Sequence, residues 1–471
     1  MKRATQECVV FNGPGEAPLR LVDPYSGEDR GSPPIMAPAE IEQAIQRAHA
    51  AFRMWRTIPA GERAHLINVL RGRLDGVERE LASLVTAEMG KLYHEALGEV
   101  ESVRRLCSWL CREGPRALAS ERVTDGERRF EVSPCPLGVV LIIMPWNFPL
   151  WQVLRTALPL MLAGNAVVLK HAPNVPECAR SLVSLVTEAA FPPGLLTNVF
   201  AGNESTTRLI GHPLIAGVSF TGGRAAGSRV GAAAGAALKK SVLELGGNDA
   251  WILMDGCLVE EAVREITDAR LRNCGQSCLG PKRIIAHRTI YAEVRDRLVE
   301  AFATRKAGPP MDPSTRLAPM AKHALRDGLH TKVQACRHFG DRVATGGEAL
   351  PGPGAFYAPT LLESKGFGSP AWTEELFGPV TAIVPFDSVA EAADLANATP
   401  FGLGGVIFDA DHERAERLLR DQLNIGVGAI NHRAGSHPAV PFGGTGESGY
   451  GREMGVIGLR EFTLIKTIRL R

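Results

Sequence analysis

Along the chain the spacing of apolar positions changes repeatedly, and those changes predict the elements. From Ala37 to about Leu110 apolar residues recur at three- and four-residue intervals, which predicts helix. Pro38-Ala39-Glu40-Ile41 supplies a helix start, with a proline and an acid in the first turn. Over 118–137 the pattern shortens to alternation. Arg122, Arg128 and Arg129 interleave with Val123, Phe130 and Val132 around the turn Asp125-Gly126, which reads as a hairpin. From Leu137 onward short apolar runs alternate with helical stretches: strands at 139–144, 166–170, 197–201 and 217–220, helices at 150–162 and 176–190. Such alternation predicts a parallel, doubly wound sheet. After Gly247 a second α/β pattern begins, with strands at 282–286, 381–385, 404–408 and 427–431 and helices at 260–271, 292–304, 322–339, 389–398 and 412–422. The tail at 462–470 reads as a strand able to pair with the hairpin. Residues 1 to about 20, polar and broken by Gly and Pro, read as a loose leader, and Asp23 to Glu28 as a turn between two short strands.

Length turns these patterns into domains. At 471 residues the chain exceeds what one ordinary core accommodates, so two or three domains are expected. Lys plus Arg number 53 against 51 Asp plus Glu, a balance that points to neither nucleic acid nor a membrane surface as partner. The longest apolar runs, such as Val139 to Met144, have strand length and fall far short of a bilayer span. Met1-Lys2-Arg3-Ala4-Thr5 leads into no apolar stretch of a secretory signal. The nine cysteines follow neither disulfide-scaffold nor zinc-ligand spacing, so no metal is expected and a reducing cytoplasm is the expected home. Cys107 and Cys111, four apart, share one helix face and read as packing residues.

Two stretches carry candidate chemistry. Asn273-Cys274-Gly275-Gln276-Ser277-Cys278 presents a thiol on a glycine-containing loop, and Leu243-Glu244-Leu245-Gly246-Gly247 brings a carboxylate to the end of an apolar run. A thiol and a carboxylate in one pocket suit covalent catalysis, the thiolate attacking an electrophilic carbon and the base later activating water. Gly222-Gly223-Arg224-Ala225-Ala226-Gly227 follows a strand and opens a helix, 228–239, so its free N–H groups and the helix dipole would favour a phosphate. Its spacing departs from the G-x-G-x-x-G fingerprint.

Taken together, the motifs resemble the aldehyde dehydrogenase superfamily from about residue 20 to the end. The matching stretches are Met144 to Pro149, Ala163 to Lys170, Phe220-Thr221-Gly222, Leu243 to Gly247, Gly275 to Cys278, Glu374 to Pro379, Pro441 to Gly444 and Ser448 to Glu453, in the family's order. Two further stretches, Pro149 to Arg155 and Lys170 to Pro176, look closest to bacterial succinate-semialdehyde dehydrogenases. The resemblance implies an α/β fold with a Rossmann-type cofactor-binding domain over 1–117 and 138–246. It adds an α/β catalytic domain over 247–447 and a β-hairpin oligomerisation arm from 118–137 and 460–471, hence a homodimer or homotetramer. It also implies NAD or NADP as cofactor and a small aldehyde, succinic semialdehyde foremost, as substrate; another small, medium-chain or aromatic aldehyde, or a catalytically silent member, are the alternatives. Cys278 would be the nucleophile, Asn147 with the Cys278 backbone N–H would hold the oxyanion, and Glu244 would activate water. The cofactor residues would be Lys170 at the adenosine ribose, Gly222 and Gly227 at the pyrophosphate, Glu375 and Phe377 at the nicotinamide end, with Trp146, Gly223 and Leu245. Arg155 would pair with a substrate carboxylate, with Arg433, His432 and Phe442 on the same side.

Departures from the family pattern bear on specificity. Pro173 stands where many NAD-preferring relatives carry a glutamate, so a 2′-phosphate would meet no like charge there. Gly223 stands where Ser is usual, and Asp255-Gly256-Cys257 and Ala318-Pro319 differ without expected consequence beyond structure. His437-Pro438-Ala439-Val440 and Thr445-Gly446-Glu447 are unusual and are expected to alter the mouth of the substrate tunnel. Cys274 reads as a small buried side chain rather than a resolving thiol.

Overall fold

The computed structural model describes residues 20–470, so the leader lies outside the described residues. The helical stretch from Ala37 divides into three helices, α1 (Pro38–Trp55), α2 (Ala60–Met89) and α3 (Tyr93–Ala117). Pro59 lies at the first break, and at the second Gly90 ends α2 in the left-handed region at φ 77°. A side chain there would meet Pro24 and Pro319 within 3 Å, so only glycine turns this corner.

These helices cover a six-stranded sheet whose order is Gly449–Tyr450, Lys240–Glu244, Ile215–Thr221, Val139–Met144, Ala166–His171 and Leu196–Asn198. All neighbours are parallel except the Gly449–Tyr450 edge. The strand Val139–Met144 sits inside the sheet and is buried along its whole length, as its unbroken apolar run requires. A second, seven-stranded sheet runs Arg342–Thr345, Thr360–Glu363, Val380–Phe386, Arg283–His287, Ala250–Leu253, Gly404–Phe408 and Val427–Ile430, with only the first pair antiparallel. Separate apolar clusters pack its two faces. The third sheet is the arm. Glu121–Asp125 and Arg128–Pro136 form the hairpin, and Thr463–Leu470 pairs antiparallel with the second hairpin strand, Thr463 opposite Pro136 and Leu470 opposite Arg129.

The return of Gly449–Tyr450 to the first sheet is the connection the sequence pattern does not reveal. It is two residues long, too short for any periodicity, yet it brings Glu453 and Phe442 back against the helix α4 (Trp151–Leu162). No helix among the described residues is long and apolar enough to cross a membrane.

Candidate active site

The site lies where strand ends of the first sheet face a loop of the second half. After Val139–Met144 the chain turns through Asn147 into α4, and the first N–H groups of that turn are anchored from a distance. Glu99 of α3 accepts from Leu150 N and Trp151 N, both at 2.7 Å, with one oxygen, and from Lys91 Nζ at 2.6 Å with the other. Lys91 and Glu99 are both buried, and the Lys91 ammonium sits 3.9 Å from the Phe148 ring centre. One turn earlier on α3, Glu95 accepts the Asn273 N–H with both oxygens at 3.1 Å. One helix thereby holds both the loop of Asn147 and the loop of Cys278.

The second loop needs that support because its backbone is unusual. Asn273 and Cys274 both lie in the left-handed region at φ 52°, a costly conformation for residues with side chains. Gly275 follows at φ 70°, where a Cβ would fall 2.1 Å from the Gly378 carbonyl oxygen. The loop is closed by a hydrogen-bond lattice. Asn273 Nδ2 donates to Asn147 O at 2.8 Å, Asn147 Nδ2 to Gln276 O at 3.0 Å, and Ala321 N to Gln276 Oε1 at 2.9 Å. Cys274 is fully buried and its thiol is held far above its ordinary range by burial, then by Glu95, as expected of a packing residue. Cys107 is likewise buried in the core.

Cys278 is partly exposed toward two cavities. Its backbone oxygen accepts from Lys282 Nζ at 2.5 Å, and Lys282 pairs with Glu375 at 3.0 Å. Burial pushes the thiol up to about 11, opposed by the charges of Lys282 and Arg155. Glu244 ends its strand buried, with Oε1 unpaired and close to Gly443, where a Cβ would come within 2.6 Å of that oxygen. Burial first, and the charge on Glu453 second, hold the Glu244 carboxyl well above the usual carboxylate range; Arg155 and Arg452 pull the other way.

One cavity, of about 790 Å³, is lined by Trp146, Asn147, Thr221, Gly222, Gly223, Glu244, Leu245, Glu375 and Phe377. The Trp146 and Phe377 rings meet edge to face at 6.0 Å. The other, of about 460 Å³, is lined by Phe148, Trp151, Arg105, Arg272, Arg433 and Phe442 together with Arg155. Cys278 and Gln152 are the only described residues that line both.

Several expectations require correction. Arg155 is not a free cation: it is buried, its Nη2 lies 2.5 Å from Glu453 Oε2, and its guanidinium packs 4.9 Å from the Phe442 ring centre. Glu453 also accepts from Thr156 at 2.6 Å. A neutralised arginine offers a substrate carboxylate less than the sequence suggests. Phe442 accordingly covers Arg155 as well as lining the cavity. The cation that sequence reasoning missed is Arg272, exposed, lining the same cavity, 5.8 Å from the Phe148 ring centre and without a carboxylate partner among the described residues. Arg433 lines the cavity from its loop, whereas His432 lies 3.9 Å from Glu265. Gly227 does not open toward the phosphate cavity; it lets its helix close on Leu245, whose Cδ2 would be 2.3 Å from a Cβ there. Lys170, near the end of its strand, and Pro173 line neither of these two cavities; burial draws the Lys170 ammonium down to about 8. Thr445-Gly446-Glu447 borders the phosphate side, not the substrate mouth. Thr445–Gly446 pairs with Phe401–Gly402, and Glu447 pairs with Arg224, both Arg224 and Phe401 lining the larger cavity.

A partly exposed thiol and a buried carboxylate in the wall of one cavity, with a cation-rimmed cavity meeting it at the thiol, define a class. The Aldehyde dehydrogenase family model matches residues 12–468, and the chain belongs to that family. Within it, the chain is 39% identical over 454 residues to the succinate-semialdehyde dehydrogenase, NADP(+), of Deinococcus radiodurans, covering 96% of this chain and 95% of that one. It is 40% identical over 447 residues to the succinate semialdehyde dehydrogenase, NAD(P)+, of Escherichia coli K12, covering 95% and 96%. Among solved structures, the succinic semialdehyde dehydrogenase of Streptococcus pyogenes in complex with NADP+ superposes with a TM-score of 0.93 at 32% identity, over 95% of this chain and 99% of that one.

The residues present fit a dinucleotide. Gly223 opens the Arg224–Ala236 helix with no side-chain cap, which leaves its first N–H groups for phosphate oxygens, and a Cβ at Gly223 would meet nothing within 4 Å. At Gly222 a Cβ would collide with the Phe220 ring at 2.6 Å, so glycine is required for this turn of the cavity wall. The buried Thr221 Oγ1 has no protein partner in the same wall.

Proposed function

We propose that the protein oxidises succinic semialdehyde to succinate with NAD(P)+, through a thiohemiacetal and then a thioester on Cys278. The observation that carries this is the position of Cys278 at the meeting of the two cavities, with Asn147 and Glu244 on one side and Arg272 on the other. Cys278, as thiolate, attacks the aldehyde carbon. The Asn147 amide and the Cys278 N–H stabilise the developing oxyanion. NAD(P)+, held along the wall of Trp146, Gly222, Gly223, Glu375 and Phe377, would supply the hydride acceptor that turns the thiohemiacetal into the thioester. Glu244, ionised, takes a proton from the water that hydrolyses the thioester. Arg272, assisted by Arg433 and Arg105 at the rim, pairs with the distal carboxylate, the part assigned to Arg155 on sequence alone.

NADP is accepted as well as NAD, because Pro173 places no carboxylate near the 2′ position and Lys170 lies three residues before it; the relatives named above use NADP(+) or NAD(P)+. The division of labour follows the sheets: the six-stranded sheet with α1 to α4 holds the cofactor and the seven-stranded sheet carries the Cys278 loop. The three-stranded arm joins copies of the chain, since Val123, Leu464, Ile465 and Ile468 are exposed apolar residues on it.

The test is reduced-cofactor absorbance with succinic semialdehyde, hexanal and benzaldehyde, each with NAD and NADP. The expected result is the highest kcat/KM for succinic semialdehyde, no activity in Cys278→Ala, and a rise in KM in Arg272→Met that erases the preference. Equal loss for all three aldehydes in Arg272→Met would remove Arg272 from substrate recognition.

A further inference from the structure

Gln152 is assigned no role by the reading above, yet it shares with Cys278 the only position facing both cavities among the described residues. It is 2% exposed. Its amide orientation follows from a chain of hydrogen bonds. Gln276 O can only accept, so the amide edge of Asn147 that faces it at 3.0 Å must be Nδ2. Asn147 Oδ1 is then on the opposite edge, and Gln152 must present its Nε2, at 3.3 Å. That leaves Gln152 Oε1 as a buried acceptor with no partner in the protein. Buried amides are normally satisfied, and an orphaned acceptor on the walls that Cys278 shares is open to a donor supplied by the reaction. Asn147 donates and Glu244, when ionised, only accepts. The one reactant that carries two donors is the hydrolytic water.

We propose that Gln152 is a catalytic residue of thioester hydrolysis: its Oε1 accepts one O–H of the attacking water while Glu244 takes the proton of the other. The water oxygen bonds to the thioester carbon, the proton passes to the Glu244 carboxylate, and the C–S bond breaks to return the Cys278 thiolate and release the acid. Gln152 keeps its own protons throughout, and two acceptors fix the water where one would leave it free to rotate. Its Nε2 holds Asn147 at the same time, so the side chain links oxyanion stabilisation to water placement. The assignment rests on the cysteine acyl-enzyme proposed above.

The test uses p-nitrophenyl acetate, which acetylates a reactive cysteine without nicotinamide or aldehyde. Stopped-flow release of p-nitrophenolate reads acylation as a burst and deacylation as the steady state, and intact mass reads the acetyl group on Cys278. In Gln152→Met the burst is expected to stay within about twofold while the steady rate falls at least tenfold, with acetyl-enzyme accumulating and hydroxylamine restoring turnover. Gln152→Asn, which draws the acceptor back by one methylene, is expected to show the same separation, more weakly. A burst that slows in step with the steady rate in both variants, without acetyl-enzyme, overturns the proposal and leaves Gln152 as a support for Asn147 alone. Unchanged rates in both also overturn it. A wild-type enzyme that forms no acetyl adduct on Cys278 overturns the cysteine reading itself.

Discussion

Arg155 and Arg272 separate what a residue type can announce from what its neighbours decide. Arg155 was legible as an arginine at a meaningful place after Asn147; its pairing with Glu453 was not, because that partner arrives from almost three hundred residues further on, through a two-residue strand. Arg272 gave no signal beyond standing next to Asn273, and only the structure shows it lining the cavity without an ion-pair partner among the described residues. Cys278 and Glu244 stood out because glycines flank their motifs, whereas Asn147, between Pro145 and Pro149, stood out only through the family resemblance. The pair of arginines therefore divides kinetically. Arg272→Met removes a charge-assisted hydrogen bond to substrate, worth about 1.5–3 kcal/mol, and is expected to lower kcat/KM for the semialdehyde roughly 10- to 100-fold through KM. Arg155→Met acts through charge instead. Glu244 works ionised and its carboxyl is held high, so turnover limited by hydrolysis falls as pH drops through that raised value. Removing the Arg155 cation moves this acid limb to higher pH, and Glu453→Gln, which deletes the like charge and leaves Arg155 to Glu244, moves it lower. The pH profile of kcat checks both signs. Iodoacetamide labelling of Cys278 in the cofactor-free enzyme is expected to quicken with pH toward about 11 and to be slower in Arg155→Met at a given pH.

At the scale of elements, α3 is the least conspicuous and most consequential. Its periodicity was legible, and the boundary at Gly90 is one glycine whose meaning needs the prolines it packs against. What the pattern could not show is that Glu95 and Glu99, one turn apart on a helix that reads as ordinary and amphipathic, serve as distant caps for two active-site loops. Glu99→Ala would strip two N–H groups of α4 of their acceptor and strand Lys91, fully buried, without its counter-charge. Leaving such a charge unpaired costs about 3–5 kcal/mol, so thermal unfolding is expected at a markedly lower temperature. The double variant Lys91→Met, Glu99→Gln removes the stranded charge and is expected to recover much of that loss in the same melting assay. If the double variant is as unstable as the single, the cost lies in the lost cap.

At the scale of the molecule, the alternation of short apolar runs and helices foretold two α/β layers, and the charged hairpin and the tail foretold a third sheet. Strand order escaped the pattern, since nothing in a run of valines says which run lies beside it. The arm sheet exposes Leu464 and Ile468 on one face of its edge strand. The proposed arm-mediated assembly is expected to fall to monomers in sedimentation velocity when both are changed to Lys, with the far-ultraviolet circular dichroism unchanged; an unaltered mass would overturn the arm contact. Among the described residues the two cavities share only Cys278 and Gln152, and this has a consequence for traffic. The proposed dinucleotide and aldehyde would each occupy a cavity of its own, and neither, once seated, would bar the other's way. Random-order binding, with the acid leaving before the dinucleotide, is the expected outcome, and product-inhibition patterns check it.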